Sequence, residues 1–119
     1  MKNIDALKFL FLLLFSSVAI SGGRTTPAVP TKIDTVGVHS GFMIWGAFGN
    51  PAGCTKPDAI WVKGEHSQYD KIYSTALAAF MAGKKVNAYA HSCEPVGWYS
   101  TADVTYNVLG PSGDLQIQD

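Results

Sequence analysis

Few residues in this chain have types and spacings suited to chemistry, and the most promising are aromatic. Trp98 and Tyr99 stand side by side in the run Cys93-Glu94-Pro95-Val96-Gly97-Trp98-Tyr99-Ser100. A rigid aromatic pair on a loop suits stacking on a sugar face or anchoring a protein contact, because each ring offers a large apolar surface with a polar tip. Trp98 and Tyr99 are therefore the candidate ligand-binding residues. The histidines offer less. His39, His66 and His91 are scattered, with neither the i, i+4 helical spacing nor the short spacings that zinc sites prefer. No metal and no cofactor are expected. His91-Ser92-Cys93-Glu94 places a base, a hydroxyl and a thiol in a row, but adjacent strand residues point to opposite faces. Asp58, Glu65, Asp70, Glu94 and Asp103 fall in expected loops or near element ends, where solvated carboxylates are ordinary, and nothing singles out a hydrolytic pair. No catalytic residue is assigned.

The thiols read differently. Cys54 and Cys93 are the two cysteines of the chain. In an exported protein they pair most simply as one disulfide. Export is read from the amino terminus, where Lys2 and Lys8 stand against Asp5, the apolar run Phe9 to Phe15 follows, and Ser17, Ala19 and Ser21 supply small residues for a peptidase. Cleavage after Ser21 is favoured over the competing site set by Ser17 and Ala19. The apolar stretch, about 12 residues at ~1.5 Å each, is too short to cross a hydrocarbon core of roughly 30 Å. The expected destination is the periplasm or the outside of the cell, with no membrane-spanning segment left after cleavage.

Removing residues 1–21 leaves seven basic against eight acidic side chains. That balance excludes the clustered Lys and Arg needed to neutralise a phosphate backbone, so nucleic acid is not an expected partner. The basic pair Lys84-Lys85 follows an expected helix, where cations complement the negative helix end.

The elements that must position the aromatic loop can be read by period. Residues 22–31 (GGRTTPAVPT) carry no apolar periodicity and read as a flexible or extended leader. Ile33 to Val38 and Phe42 to Phe48 read as a hairpin around His39-Ser40-Gly41, and Ala59 to Val62 as a short third strand after a turn-rich loop holding Cys54. A helix is expected from Gln68 to Ala82, with Ser67 as its cap, Gly83 at its end and a buried stripe of Tyr69, Ile72, Tyr73, Ala76, Leu77 and Phe80. Its other face ends in Ala78, Ala79 and Ala82, good helix formers that also suit coverage by another subunit. Val86 to His91 and Ala102 to Leu109 complete the strands, and Gly110-Pro111-Ser112-Gly113 ends the expected ordered domain. Trp45 and Trp61, in strands, are expected to fill the core. The fold class is thus mainly β with one helix. It reads as an OB-like five-stranded barrel with the helix between strands three and four, spanning 32–110 and leaving 111–119 as a tail.

The run Tyr73 to Val86 (YSTALAAFMAGKKV), leading into Val86-Asn87-Ala88-Tyr89 and then Cys93, resembles the B subunits of subtilase cytotoxin and small secreted bacterial proteins related to them. Cys54 ahead of Ile60-Trp61-Val62 belongs to the same pattern, which covers about residues 41–108. The resemblance implies an OB-type fold, assembly as a homo-oligomeric pentamer and binding of cell-surface glycan. No glycan-contact motif of the family matches this chain residue by residue. Two non-enzymatic function classes follow. One is an oligomeric module that binds glycan or an envelope component. The other is an accessory protein that binds an envelope or host protein as an inhibitor, immunity or assembly factor. A small exported enzyme is the third and weakest class.

Overall fold

The computed structural model describes residues 22–36, 41–97, 99 and 101–119. The expected signal segment, and with it the cleavage position, lies outside the described residues, as do the hairpin turn at 37–40 and Trp98. The described chain runs β1 (Gly23–Arg24), β2 (Lys32–Val36), β3 (Gly41–Trp45), β4 (Lys56–Val62), α1 (Tyr69–Ala82), β5 (Lys85–Glu94), β6 (Tyr106–Leu109) and β7 (Leu115–Gln118). Among the described residues the fold is mainly β with one helix and one disulfide.

The expected closed barrel of five strands is not formed. Among the described residues the sheet has seven strands, it is open, and its order is β1-β5-β6-β4-β3-β2 with β7 added to β5. The extra strands come from the two segments expected to be leader and tail. β5 accounts for both. Along one edge it pairs with Gly23, Arg24 and Ala28; along the other it takes β6, with Ala90 opposite Leu109, and then β7, with Val86 opposite Ile117. Gly110 to Gly113 therefore do not end the sheet: they form a turn after which the chain returns to the same strand. A short leader without apolar periodicity can still order when a neighbouring strand offers unpaired backbone groups, since those groups must find partners once buried. Thr25 illustrates this: it is buried, its N–H donates to Ala88 O at 2.8 Å, and its hydroxyl accepts from Ala88 N–H at 2.9 Å.

The remaining ladders are antiparallel for β2 with β3 and β3 with β4, and parallel for β4 with β6. The β4–β6 register slips between Lys56 and Ile60, where Asp58 adopts a positive φ of 63°. Asp tolerates that conformation because its side chain bonds locally; here Asp58 Oδ1 accepts Gly49 N–H at 2.8 Å.

Strand alternation sorts the apolar side chains into two clusters. Phe42, Ile44, Ile60, Val62, Val86, Ala88 and Leu109 face the helix, which buries Ile72, Ala76 and Ala79 against them. Met43, Ala59, Trp61, Tyr106 and Val108 face the other way, together with Val36 of β2 and Val96 of the β5–β6 loop. Trp45 and Trp61 thus belong to this second face rather than to the core under the helix, with Trp61 buried and Trp45 half-buried.

The helix also differs from expectation at three points. Leu77 and Phe80 are exposed and Ala79 is buried, so the buried stripe is rotated toward Ala79. Short Ala79 lets the helix approach the sheet closely, which leaves the larger side chains at its flank. Ser67 makes no cap: the helix follows Gln68, whose own N–H is accepted by His66 Nδ1 at 3.0 Å. Gly83 ends the helix in the left-handed conformation as expected, with φ 67°. Lys84 pairs with Asp119 at 2.6 Å, beyond the helix.

Candidate functional site

Cys54 and Cys93 are joined, with their Cα atoms 5.3 Å apart. The bridge links the β3–β4 loop to the end of β5, the start of the loop that carries the candidate aromatics. Closing a loop of 39 residues' separation stabilises the fold by about 4 kcal/mol in the chain-entropy model. Asn50 prepares Cys54 for the bond by a reciprocal clamp, accepting Cys54 N–H at 2.7 Å and donating to Cys54 O at 2.6 Å. Buried Asn107 of β6 lies below, donating to Ala59 O at 3.2 Å. The Cys93 end of the loop is thereby fastened by covalent and polar contacts.

Tyr99 is half-buried, its ring stacked on Trp45 with centroids 6.4 Å apart and set edge-on to Tyr106 at 5.8 Å. Trp45 Nε1–H donates to the Tyr99 hydroxyl at 3.0 Å, and that hydroxyl donates to Asp34 Oδ2 at 2.9 Å. The chain Trp45–Tyr99–Asp34 therefore runs from β3 through the loop to β2. Burial, with Asp34 nearby, pushes the Tyr99 hydroxyl up to about 12, partly opposed by the bond from Trp45. The neutral donor form is the one the latch uses.

Tyr99 is an expected ligand contact, and Trp45 an expected core residue. The structure brings them together and adds two cations. Lys32 Nζ and Lys56 Nζ stand 5.5 and 5.6 Å from the Trp45 ring centroid, the first because Lys32 is the cross-strand partner of Trp45. Each such contact is worth about 0.5–1 kcal/mol at an exposed site. A signal for Trp45 was present. Phe42-Met43-Ile44-Trp45 is apolar at both phases of the strand period, the mark of a strand covered on both faces. A second covering layer, here the β5–β6 loop, was therefore required.

Beside this cluster is a cavity of about 250 Å³ lined by Trp61, Lys63, Glu65, Glu94, Pro95, Val96 and Gly97. Lys63 Nζ donates to Glu94 Oε1 at 2.8 Å across it. His66 and His91 lie elsewhere. His66 Nε2 bonds Gly113 O at 3.3 Å and His91 Nδ1 accepts Gly110 N–H at 3.2 Å, so both fasten the turn between β6 and β7. The row His91-Ser92-Cys93-Glu94 supplies no free thiol. Among the described residues no group of three His, Cys, Asp or Glu could hold a metal ion, and no helix is long and apolar enough to cross a membrane.

These features define a disulfide-closed, mainly β domain with a loop-covered aromatic face. No protein-family model matches the chain, and no curated protein and no solved structure is significantly similar to it.

Proposed function

We propose that this is an exported, non-enzymatic binding domain that recognises a glycan through the face built by Trp45, Tyr99 and the β5–β6 loop. The observation that carries the reading is Trp45: a half-buried indole on a strand, fixed by Tyr99 and Asp34, with two lysine ammonium groups around its ring. An apolar ring face bordered by hydrogen-bond donors and acceptors matches a sugar, which offers C–H groups on one face and hydroxyls at its rim. Lys32 and Lys56, on flexible stems, can turn from the ring to donate to those hydroxyls.

The fold reading that goes with it is an OB-type barrel opened at one seam. Three observations support it. The helix lies between β4 and β5; β4 and β6 are parallel neighbours; and the two ends of the sheet, β1 and β2, belong to one continuous segment, so that segment plays the part of a single bent first strand. Thr26 N–H donates to Phe48 O at 3.0 Å and Thr31 N–H to Trp45 O at 2.8 Å, keeping that segment against the sheet between its two pairings. OB-folds bind oligosaccharides and oligonucleotides on the face of their second and third strands and on the loop between the fourth and fifth. Here those are β3, β4 and the 95–105 loop, where Trp45 and Tyr99 lie.

Purified protein beginning at Gly22 should bind a subset of immobilised glycans, and Trp45→Ala should abolish that binding while the fold persists by circular dichroism. A full glycan panel with no binder above the Trp45→Ala background would defeat the reading.

A second reading, contact with another protein, is favoured by one observation. Leu77, Phe80 and Met81 are 41%, 39% and 77% exposed on one flank of the helix. That strip suits self-assembly into the expected pentamer or capture of an envelope protein, and light scattering of the purified domain separates the two.

A further inference from the structure

The cavity beside the aromatic cluster has a charge of opposite sign to its neighbour. Around Trp45 stand Lys32 and Lys56 with Asp34. Around the cavity stand Glu65 and Glu94 with Lys63 alone. Lys63 is committed to Glu94 Oε1, while Glu94 Oε2 has only a long contact of 3.4 Å from the Ser92 hydroxyl. Glu65 lines the same space and is exposed, with no hydrogen bond or ion pair among the described residues. One carboxylate charge is left over. The wall behind it is Trp61, a ring 4% exposed and packed in the loop-covered cluster, so the polar groups work against an apolar backing. At about 250 Å³ the space lies below the roughly 300 Å³ at which drug-sized pockets begin, and it admits one ring rather than a run of them.

We propose that this cavity is a subsite for a single amine-bearing sugar residue, a hexosamine with a free ammonium group. The ammonium sits between the Glu65 and Glu94 carboxylates. The free Lys63 protons donate to ring hydroxyls, and the edge of Trp61 meets the apolar side of the ring. An N-acetylated sugar loses the charge and adds bulk, and an acidic sugar meets two carboxylates. The inference rests on the glycan-binding reading and narrows its ligand class at a place distinct from Trp45.

The test is a two-dimensional amide NMR titration of the purified domain from Gly22 onward with glucosamine, glucose, N-acetylglucosamine and butylamine. The buffer is held at about pH 6, below the usual range of an aliphatic amine. Glucosamine should shift the Glu65, Glu94 and Gly97 amides and the Trp61 indole, and bind about fivefold more tightly than glucose, the scale of one exposed charge pair. Glu65→Gln, a change at an exposed and unpaired side chain, should erase that preference and leave the spectrum otherwise intact. Equal binding of glucose or N-acetylglucosamine overturns the proposal, as do shifts that miss the cavity. Butylamine binding as well as glucosamine overturns it in favour of a lysine side chain from a protein. Oligosaccharide shifts at the Trp45 indole report the parent reading separately. Those shifts without a glucosamine preference sink only the subsite, whereas their absence with every sugar sinks the parent reading.

Discussion

The two faces of this sheet are built by the same strands and are closed by different means. Under the helix, Phe42, Ile44, Ile60 and Val62 meet Ile72, Ala76 and Ala79, and the covering element is a regular helix with apolar contacts throughout. On the other face Met43, Trp45, Trp61 and Tyr106 are covered by a loop, and the join is made by a disulfide and a hydrogen-bonded latch. Apolar packing against a helix is dense and tolerates little change. A loop anchored at a few points leaves an aromatic ring half-buried and gives its polar tips fixed partners. The first arrangement supplies stability, and the second presents groups that a ligand can use.

The contrast makes its largest prediction at Phe42. Its ring is fully buried and meets Tyr69 and Tyr73 edge-on at 5.6 and 5.1 Å. Phe42→Ala should cost about 3–5 kcal/mol in urea denaturation, the range for truncating a packed core aromatic. Any protein that stays folded should keep its ligand affinity, because Trp45 lies on the other face. A loss of affinity in the folded fraction would mean that the two faces are coupled through the sheet.

Tyr99→Phe probes the other face with a smaller effect. It keeps the ring and removes the hydroxyl that joins Trp45 to Asp34. Two neutral or charge-assisted bonds vanish at a half-exposed site, so the expected cost is about 1–2 kcal/mol. The Trp45 indole N–H, left without that acceptor, should exchange with solvent faster, and glycan affinity should fall. A variant as stable as the parent, with unchanged indole exchange, would show that the loop is held by the disulfide and apolar contacts alone.

How much of this was legible in the sequence depends on which signal each part leaves. The helix from Tyr69 to Ala82 and the Cys54–Cys93 bridge were readable, because helical period and an isolated cysteine pair are local signals. The pairing of Gly23, Arg24 and Ala28 with β5 was not, since it is made by backbone groups that carry no side-chain pattern. β7 was hidden by Gly110 and Pro111, which read as an end but serve as a turn. Tyr99 could be picked out by its aromatic neighbour and flanking glycine. Its partner Asp34, and the Lys56 that stands over Trp45, could not, because they come from separate strands and reach the cluster only after hairpin register and the β4–β6 crossover are fixed. Trp45 fell between these cases: the pattern around it asked for two covering layers, and a single barrel core left no room for the second.

The smallest predicted effect concerns alkaline pH and isolates the latch from everything else on its face. Tyr99 ionises at about 12 in the folded protein, chiefly because burial penalises the phenolate, against the ordinary value near 10. A folded-state value raised above the unfolded one means that the unfolded chain releases the proton first. The neutral hydroxyl's contribution is therefore complete below about pH 10 and is lost progressively as pH rises from there through about 12. The parent protein should lose denaturant resistance across that window, and Tyr99→Phe should lose less of it, since phenylalanine has no proton to give up. Other groups that titrate in the same range are common to both proteins and cancel in the difference. Tyr69 also ionises above its usual range, through burial and the neighbouring Tyr73 and Asp70, so the ultraviolet titration of Tyr99→Phe should retain a late component of reduced amplitude. Parallel stability curves for the two proteins across the window would place the Tyr99 hydroxyl in water and open the aromatic face further than the Trp45–Tyr99–Asp34 chain allows.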